Sequence, residues 1–300
     1  MCNPNVTIGV CVRNCESTIR ETMESIMKQD YPHELIELIV VDDGSVDGTL
    51  SIIEEYATKS AMKVKIIHQN WRGLGYSRNL VVNNASGKYI VWVDGDMILP
   101  EDHVRKQVEF MEINPKVGIA KARYGLYLQN NLIGFLEDAS YQAVDHKYGG
   151  ETDLTRALGT GGSIYRVDAI KSVKGFDERI SGAGEDMDVE YRVKNAGWIL
   201  YRATPAIFYE RRRKNLVDLW REGFWHGYGG YTLYRKNNRA IAPWKMSPFG
   251  GLAAGILYSI IAYGIIHRKI VFLLPLQYTF KRIAWFCGFV KAQIDYLVGG

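Results

Sequence analysis

Asp94 and Asp96 stand two residues apart, directly after the apolar run of residues 89–93. Two carboxylates at the mouth of a buried strand suit a hard divalent cation. Mg2+ and Mn2+ take oxygen ligands and commonly share a few carboxylates with substrate phosphates. An ion held there could act as a Lewis acid toward a departing phosphate. A solvated turn uses the same residue types, so the neighbouring motifs have to decide. Asp42-Asp43-Gly44-Ser45 ends another apolar run, where a carboxylate can accept the imide N–H of a base. Gly44 and Gly48 permit a tight turn, and Asp47 or Ser45 can cap the next helix. Arg72, Gly73, Gly75 and Arg78 surround a helix start, where backbone N–H groups and guanidinium could meet a diphosphate; the alternative for each arginine is a surface ion pair. Gly182-Ala183-Gly184-Glu185-Asp186 is a flexible loop ending in acids that open a helix. These acids either complement the helix dipole or face the crevice, where Asp186, with Glu185 as helper, could take the proton of an attacking hydroxyl.

The elements that must position these residues alternate. Residues 6–12 read as a strand, 17–27 as a helix, 35–41 as a strand, 47–56 as a helix, 64–67 as a strand, 75–84 as a helix and 89–93 as a strand. Such alternation predicts a parallel sheet flanked by helices, with ligand at the carboxyl ends of the strands. The residues after each strand are polar: Arg13 and Asn14, Asp42 to Ser45, His68 to Gly75, and Asp94 to Asp96. Further on, residues 160–165 read as a turn into a strand, residues 182–197 as a loop and then a helix, and residues 198–201 as a short strand. Residues 124–150 read as loop.

The 300 residues carry a formal charge of +4, too mild for a nucleic-acid surface, so no nucleic-acid partner is expected. Cys2, Cys11, Cys15 and Cys287 fall in no metal-binding or disulfide pattern, which suits a cytoplasmic catalytic part. Residues 1–12 lack the charged head and apolar core of a signal peptide. Residues 202–245 hold ten Lys or Arg against three acids, favouring an anionic surface. Residues 249–266 then run without a charge, long enough for a short membrane span, and residues 270–280 are apolar but broken by Pro275. The alternative is that these helices pack on the soluble domain. Trp220, Trp225, Tyr228 and Tyr231 are either a collar at headgroup level or packing aromatics.

Several motifs occur in a fixed order. They are Val10-Cys11-Val12-Arg13-Asn14, Val41-Asp42-Asp43-Gly44-Ser45-Val46-Asp47-Gly48-Thr49, Gly75-Tyr76-Ser77-Arg78-Asn79, Val93-Asp94-Gly95-Asp96, Thr160-Gly161-Gly162-Ser163-Ile164-Tyr165-Arg166, Gly175-Phe176-Asp177-Glu178 and Gly184-Glu185-Asp186-Met187-Asp188. This set resembles glycosyltransferase family 2, the inverting enzymes of the GT-A fold, from Val6 to about Trp225. The resemblance implies an α/β, Rossmann-like, mostly parallel sheet over 1–225, a basic and aromatic juxtamembrane linker over 226–248 and hydrophobic membrane-associated helices over 249–300. It implies donor binding by Val12, Arg13, Asn14, Asp42, Asp43, Arg78, Asp94 and Gly95, and Mg2+ or Mn2+ on Asp94 and Asp96. Asp186 with Glu185 would serve catalysis, and Gly161, Gly162 and Trp225 the acceptor. The His that often follows the last strand is replaced at this point by Tyr209. Residues 188–245 lack the Gln-x-x-Arg-Trp string of processive members, so one sugar per encounter is expected. The expected reaction moves a sugar from a UDP- or GDP-sugar to a membrane-held acceptor such as a lipid-linked glycan. A polyprenyl-phosphate monosaccharide synthase would share every motif. A nucleotidyltransferase would need a Gly-rich basic loop after the first strand, which Arg13-Asn14-Cys15-Glu16 is not; a non-catalytic sugar-nucleotide-binding membrane protein would not need these acids complete.

Overall fold

The computed structural model describes residues 4–127, 131–152, 157–180, 183–238 and 243–299. Cys2, Gly182 and Arg239, and part of the 124–150 segment, lie outside the described residues. The expected alternation is present as β1 (Val6–Val12), α1 (Ile19–Met27), β2 (Ile36–Asp43), α2 (Thr49–Lys59), β3 (Lys63–Gln69), α3 (Leu74–Asn84) and β4 (Tyr89–Asp94). There follow β5 (Met97–Ile98), α4 (His103–Ile113), β6 (Val117–Tyr124), α5 (Leu132–Tyr148), β7 (Gly150–Glu151), β8 (Ser163–Arg166), α6 (Val167–Ser172) and α7 (Glu185–Asn195). The chain ends with β9 (Ile199–Glu210), α8 (Leu216–Lys236), α9 (Pro248–Ile266) and α10 (Leu274–Gly299).

The strands are ordered β3-β2-β1-β4-β8-β6-β9-β5, with β7 beside β9. The first four are parallel, and β8 runs antiparallel between β4 and β6. Every residue of β1 and β2 is buried, as both faces of a helix-covered parallel sheet demand. Side-chain alternation divides them. Ile8, Val10, Leu38, Val40 and Val91 face α1, α2 and α4, while Ile39, Val41, Ile90 and Trp92 face α3, α6 and α7. The edge strand β3 exposes Lys63 and Lys65, charges that discourage pairing with another chain.

Two elements differ from the sequence reading. Residues 132–148, read as loop, form α5, whose buried face includes Glu137, Asp138 and Asp145. The short strand at 198–201 is the start of the 12-residue β9, which continues past Ala203 at φ 64° and Pro205 through register shifts against β6. A bulge is where a strand tolerates proline.

The boundary expected at 225/226 falls inside α8. That helix packs on α10 through close backbone approaches: a Cβ on Gly227 would stand 1.9 Å from the Trp285 carbonyl, and one on Gly288 2.0 Å from that of Phe224. The buried stripe of α9 is likewise small, with Gly251, Gly255, Ser259 and Ala262. α5 joins this group to the sheet domain, because Lys281 pairs with Glu137 at 2.5 Å and the Gln277 amide donates to the Ile133 carbonyl. Trp220 stacks edge-on against Phe280, and Tyr231 against Phe289, so both are packing aromatics.

His103 opens α4 fully buried, its Nδ1 donating to the Ile207 carbonyl at 2.6 Å. Burial pushes the ring pKa down to about 4, and Nε2 has no partner among the described residues. Between pH 6.5 and about 4 the unfolded chain holds a proton that the folded chain refuses, so the His103 contribution is lost as pH falls through that window. Urea unfolding of wild type and His103→Gln should show their stability gap narrowing by about 2 kcal/mol between pH 7 and pH 4.5. A constant gap would mean that the ring titrates normally.

Candidate active site

Register brings the strand ends level: Val12 lies beside Asp42, Asp42 beside His68 and Cys11 beside Asp94. Loop 13–16 is stitched to loop 45–49, since Asn14 donates its N–H to Ser45 Oγ and its Oδ1 accepts from the Val46 N–H, both at 2.9 Å. Asp47 accepts the Thr49 and Glu16 N–H groups, so it ties the start of α2 to loop 13–16 from one residue before the N-cap, Gly48, rather than as the cap itself. The Val12 side chain is buried, against Gly95, where a Cβ would meet it at 2.8 Å. Arg13 is exposed, its guanidinium 5.3 Å from the Trp71 ring at the crevice rim. Trp71, 60% exposed, had no role in the sequence reading.

Asp42 and Asp43 are both buried and both engaged by the protein. Asp42 meets His68 Nδ1 at 2.7 Å and accepts from the Ser45 hydroxyl. Asp43 accepts the Gln69 amide and the N–H groups of Arg72 and Gly73, each at 2.8 Å. The first donors of the α3 start are therefore already turned to Asp43. Arg72 instead lies over Tyr76, 4.2 Å from its ring.

Arg78 is 5% exposed and points to the centre. It is ion-paired with Glu185 Oε1 in close contact, with Asp94 Oδ1 3.9 Å from its other nitrogen. Glu185 Oε2 is buried and finds no partner among the described residues. Burial pushes the Glu185 carboxyl up to about 7, against the pull of Arg78. Asp186, next in α7, is half-buried and accepts the adjacent Met187 N–H at 2.8 Å.

Asp94 keeps 43% of its side chain exposed, and Arg213 approaches Asp96 only to 3.8 Å. Burial, then Glu210 and Asp94, raise the Asp96 carboxyl to about 7. Glu210 is brought there because Met97 pairs with it across β5 and β9. Sequence reasoning considered this segment only for Tyr209; the last residue of the strand was the signal it passed over. Mutually repelling carboxylates of this kind fit a cation. Among the described residues, no three Asp, Glu, His or Cys gather closely enough to hold one alone. Two aspartates whose ion completes its shell with substrate phosphate and water fit both facts.

Gly161 lies against Asp94: a Cβ there would stand 2.3 Å from Oδ2. Gly162, at φ +70°, faces the Phe208 ring, where a Cβ would meet it at 2.5 Å. Beneath them Lys121, 2% exposed, donates to the Gly161 carbonyl. Burial lowers its pKa to about 8. The lone Lys in the apolar segment 117–122 was a readable signal that the sequence analysis did not use. Trp225 stands 49% exposed on α8, whose Gly229 packs on the Ala183 backbone just before α7. Arg78, Asp94, Asp96, Gly161, Glu185 and Asp186 are thus gathered at the carboxyl end of β4, with Asp42 and Asp43 at the end of β2 two strands away.

Residues 7–173 match the sequence profile of glycosyl transferase family 2. Over 99 residues the chain is 35% identical to the poly(ribitol-phosphate) beta-N-acetylglucosaminyltransferase TarS of Staphylococcus aureus, covering 33% of this chain and 17% of TarS. A mannosyltransferase from Pyrobaculum calidifontis, solved with GDP-Man and Mn2+, shares the fold with a TM-score of 0.69 at 17% identity, over 98% of this chain and 88% of that one. TarS solved with UDP-GlcNAc gives 0.55 at 19% identity, over 98% and 92%.

If the Asp43 carboxylate is the pin of loop 69–73, Asp43→Ala should lower the unfolding free energy by about 3 kcal/mol, given three donors to one charged group. Chemical denaturation measures it. A loss below about 0.5 kcal/mol, the scale of a neutral surface change, would leave the carboxylate free for a ligand.

Proposed function

Because the chain belongs to glycosyl transferase family 2, and is thereby a glycosyltransferase, we propose that it moves one sugar per encounter from a UDP- or GDP-sugar to a membrane-held acceptor such as a lipid-linked glycan, with inversion. The observation that supports this reading is that Asp94 lies against Gly161 and Asp186 near Gly159 two residues away, with Arg78 close to Asp94 and within electrostatic reach of Asp186. In this reading the acceptor oxygen attacks the anomeric carbon, the bond from that carbon to the diphosphate oxygen breaks, and Asp186 takes the acceptor proton. A Mg2+ or Mn2+ ion on Asp94 and Asp96 would, when bound, supply Lewis-acid stabilisation of the leaving diphosphate. Arg78 and Arg213 hold positive charge beside those aspartates, and the Trp71 ring offers a face to the donor base. The neighbours holding GDP-Man with Mn2+ and UDP-GlcNAc support both donor classes as candidates.

Support for the membrane lies in α9 and α10. Only 22% of the most apolar window of α9 is buried, and its outer face presents Phe249, Ile256 and Ile260. α10 adds Leu276, Phe286 and Leu297, and Trp244 is 71% exposed nearby in sequence. Arg268 and Lys269 follow α9, so headgroup charge and apolar surface would be met together, with the catalytic part on the cytoplasmic side. A bilayer there would hold the acceptor near Trp225.

Purified protein with Mn2+ should slowly release nucleotide from one member of a panel of UDP-, GDP- and dTDP-sugars. Asp96→Ala should lose this, and Asp186→Asn should keep donor binding while losing at least 100-fold in turnover, the scale of a general base. Full activity in Asp186→Asn would remove it as base, and silence of the wild type with no donor binding by calorimetry would end the reading. Bare polyprenyl phosphate against a glycosylated lipid then separates a synthase from an extending enzyme. In membranes washed with carbonate the chain should stay in the pellet; release into the supernatant would restrict α9 and α10 to packing on the domain.

A further inference from the structure

Residues 158–161 form a short strap, buried except at Gly159, and two buried ionisable side chains turn toward its backbone. Glu190, 3% exposed on α7, accepts the Leu158 N–H at 2.9 Å and the Gly159 N–H at 2.8 Å. Lys121, 2% exposed on β6, donates to the Gly161 carbonyl from below. Burying two ionisable groups to serve backbone N–H and carbonyl groups is costly, burial pushing Glu190 up to about 8, so the sequence has little reason to carry both on one four-residue segment unless its position matters. Loop closure alone would be served by neutral side chains, as Ser163 Oγ already serves the Gly159 carbonyl at 2.6 Å.

The glycines of the strap show what its position fixes. A Cβ on Gly159 would stand 3.7 Å from both Asp186 Oδ2 and Lys121 Nζ, and one on Gly161 2.3 Å from Asp94 Oδ2. The strap therefore touches both carboxylates through positions that leave no room for a side chain at Gly161. We propose that Lys121 and Glu190 are positioning residues, which hold the strap at the height that sets the separation of Asp94 on the donor side from Asp186 on the acceptor side. This rests on the roles given above to those aspartates. A strap released at the Glu190 end shifts toward or away from Asp186; one released at Lys121 loses its seat under Asp94. In either case the acceptor oxygen and the anomeric carbon are misaligned while the donor still binds, and small misplacements of this kind are expensive in rate.

The test uses the full chain, Mn2+ and the sugar nucleotide that the wild type hydrolyses, with water in the acceptor's place. Glu190→Gln is near-isosteric but keeps at most one of the two bonds, and Lys121→Met keeps the length without the donor. Each is expected to lower kcat for hydrolysis at least tenfold with the donor KM within twofold. The double variant should be no more than about twofold below the poorer single, because both act on one segment. Variants with kcat within twofold of wild type, a rise in donor KM at constant kcat, or a multiplicative double effect would each overturn the proposal. If Lys121→Met does not fold, Glu190→Gln alone decides by the same split. A wild type that hydrolyses no donor defeats the functional reading itself; an active wild type with equally active variants defeats only this inference.

Discussion

The buried guanidinium of Arg78 is the constraint from which the rest of the site follows. A cation 5% exposed is tolerated only with partners, and it finds Glu185 in contact and Asp94 at 3.9 Å. These come from α3, α7 and the end of β4, so one side chain ties a helix on one side of the sheet to the loop end of the central strand. Phe176, 5.7 Å from the guanidinium, closes the remaining side. Because α7 is held by its first residue, Asp186 inherits its place from the same contact. The unpartnered Glu185 Oε2 shows that this pair is not a closed structural unit.

Much of this order was legible because a parallel sheet with helices on both faces writes itself as uninterrupted apolar runs. β1 and β4 were read to within a residue, and polar groups after them could hardly lie elsewhere than at the carboxyl edge. What failed did so for physical reasons. α5 buries Glu137, Asp138 and Asp145, so polar residues on its buried face erase the amphipathic pattern that would announce a helix. Their burial is explained by groups distant in sequence: Asp138 meets Arg212 at 2.9 Å and accepts the Tyr127 N–H at 3.1 Å, and Asp145 meets Arg202 at 3.4 Å and accepts the Tyr124 N–H at 2.8 Å. Asp138 is nonetheless pushed up to about 7 by burial. β9 hides its length because Pro205 and the left-handed Ala203 break the strand signal, and the neighbouring β6 absorbs them as register shifts.

The three C-terminal helices follow another rule. α8 and α10 meet at glycines, where their backbones approach closely, and beside these at aromatic pairs such as Trp220–Phe280 and Tyr231–Phe289, while Phe249, Ile256 and Ile260 of α9 point outward. The polar residues of α10 confirm the orientation of the inner side, since Lys281 and Gln277 are spent on α5.

The sequence reading assigned the two aspartate pairs different ligands, a base for Asp42 and Asp43 and a cation for Asp94 and Asp96, although both are acids after apolar strands. The fold separates them by what reaches each carboxylate. Asp42 and Asp43 accept from a ring nitrogen, a hydroxyl, an amide and two backbone N–H groups at hydrogen-bond distance, so their charge is already used in shaping the loops. Among the described residues, Asp94 and Asp96 are approached by guanidinium groups at 3.9 and 3.8 Å, beyond hydrogen-bond reach, and a third carboxylate, Glu210, pushes against them. Carboxylates whose charge is left uncompensated by the protein are those with charge to give a ligand. By the same criterion Asp186 belongs with the second pair and Glu190, saturated by two amides, with the first.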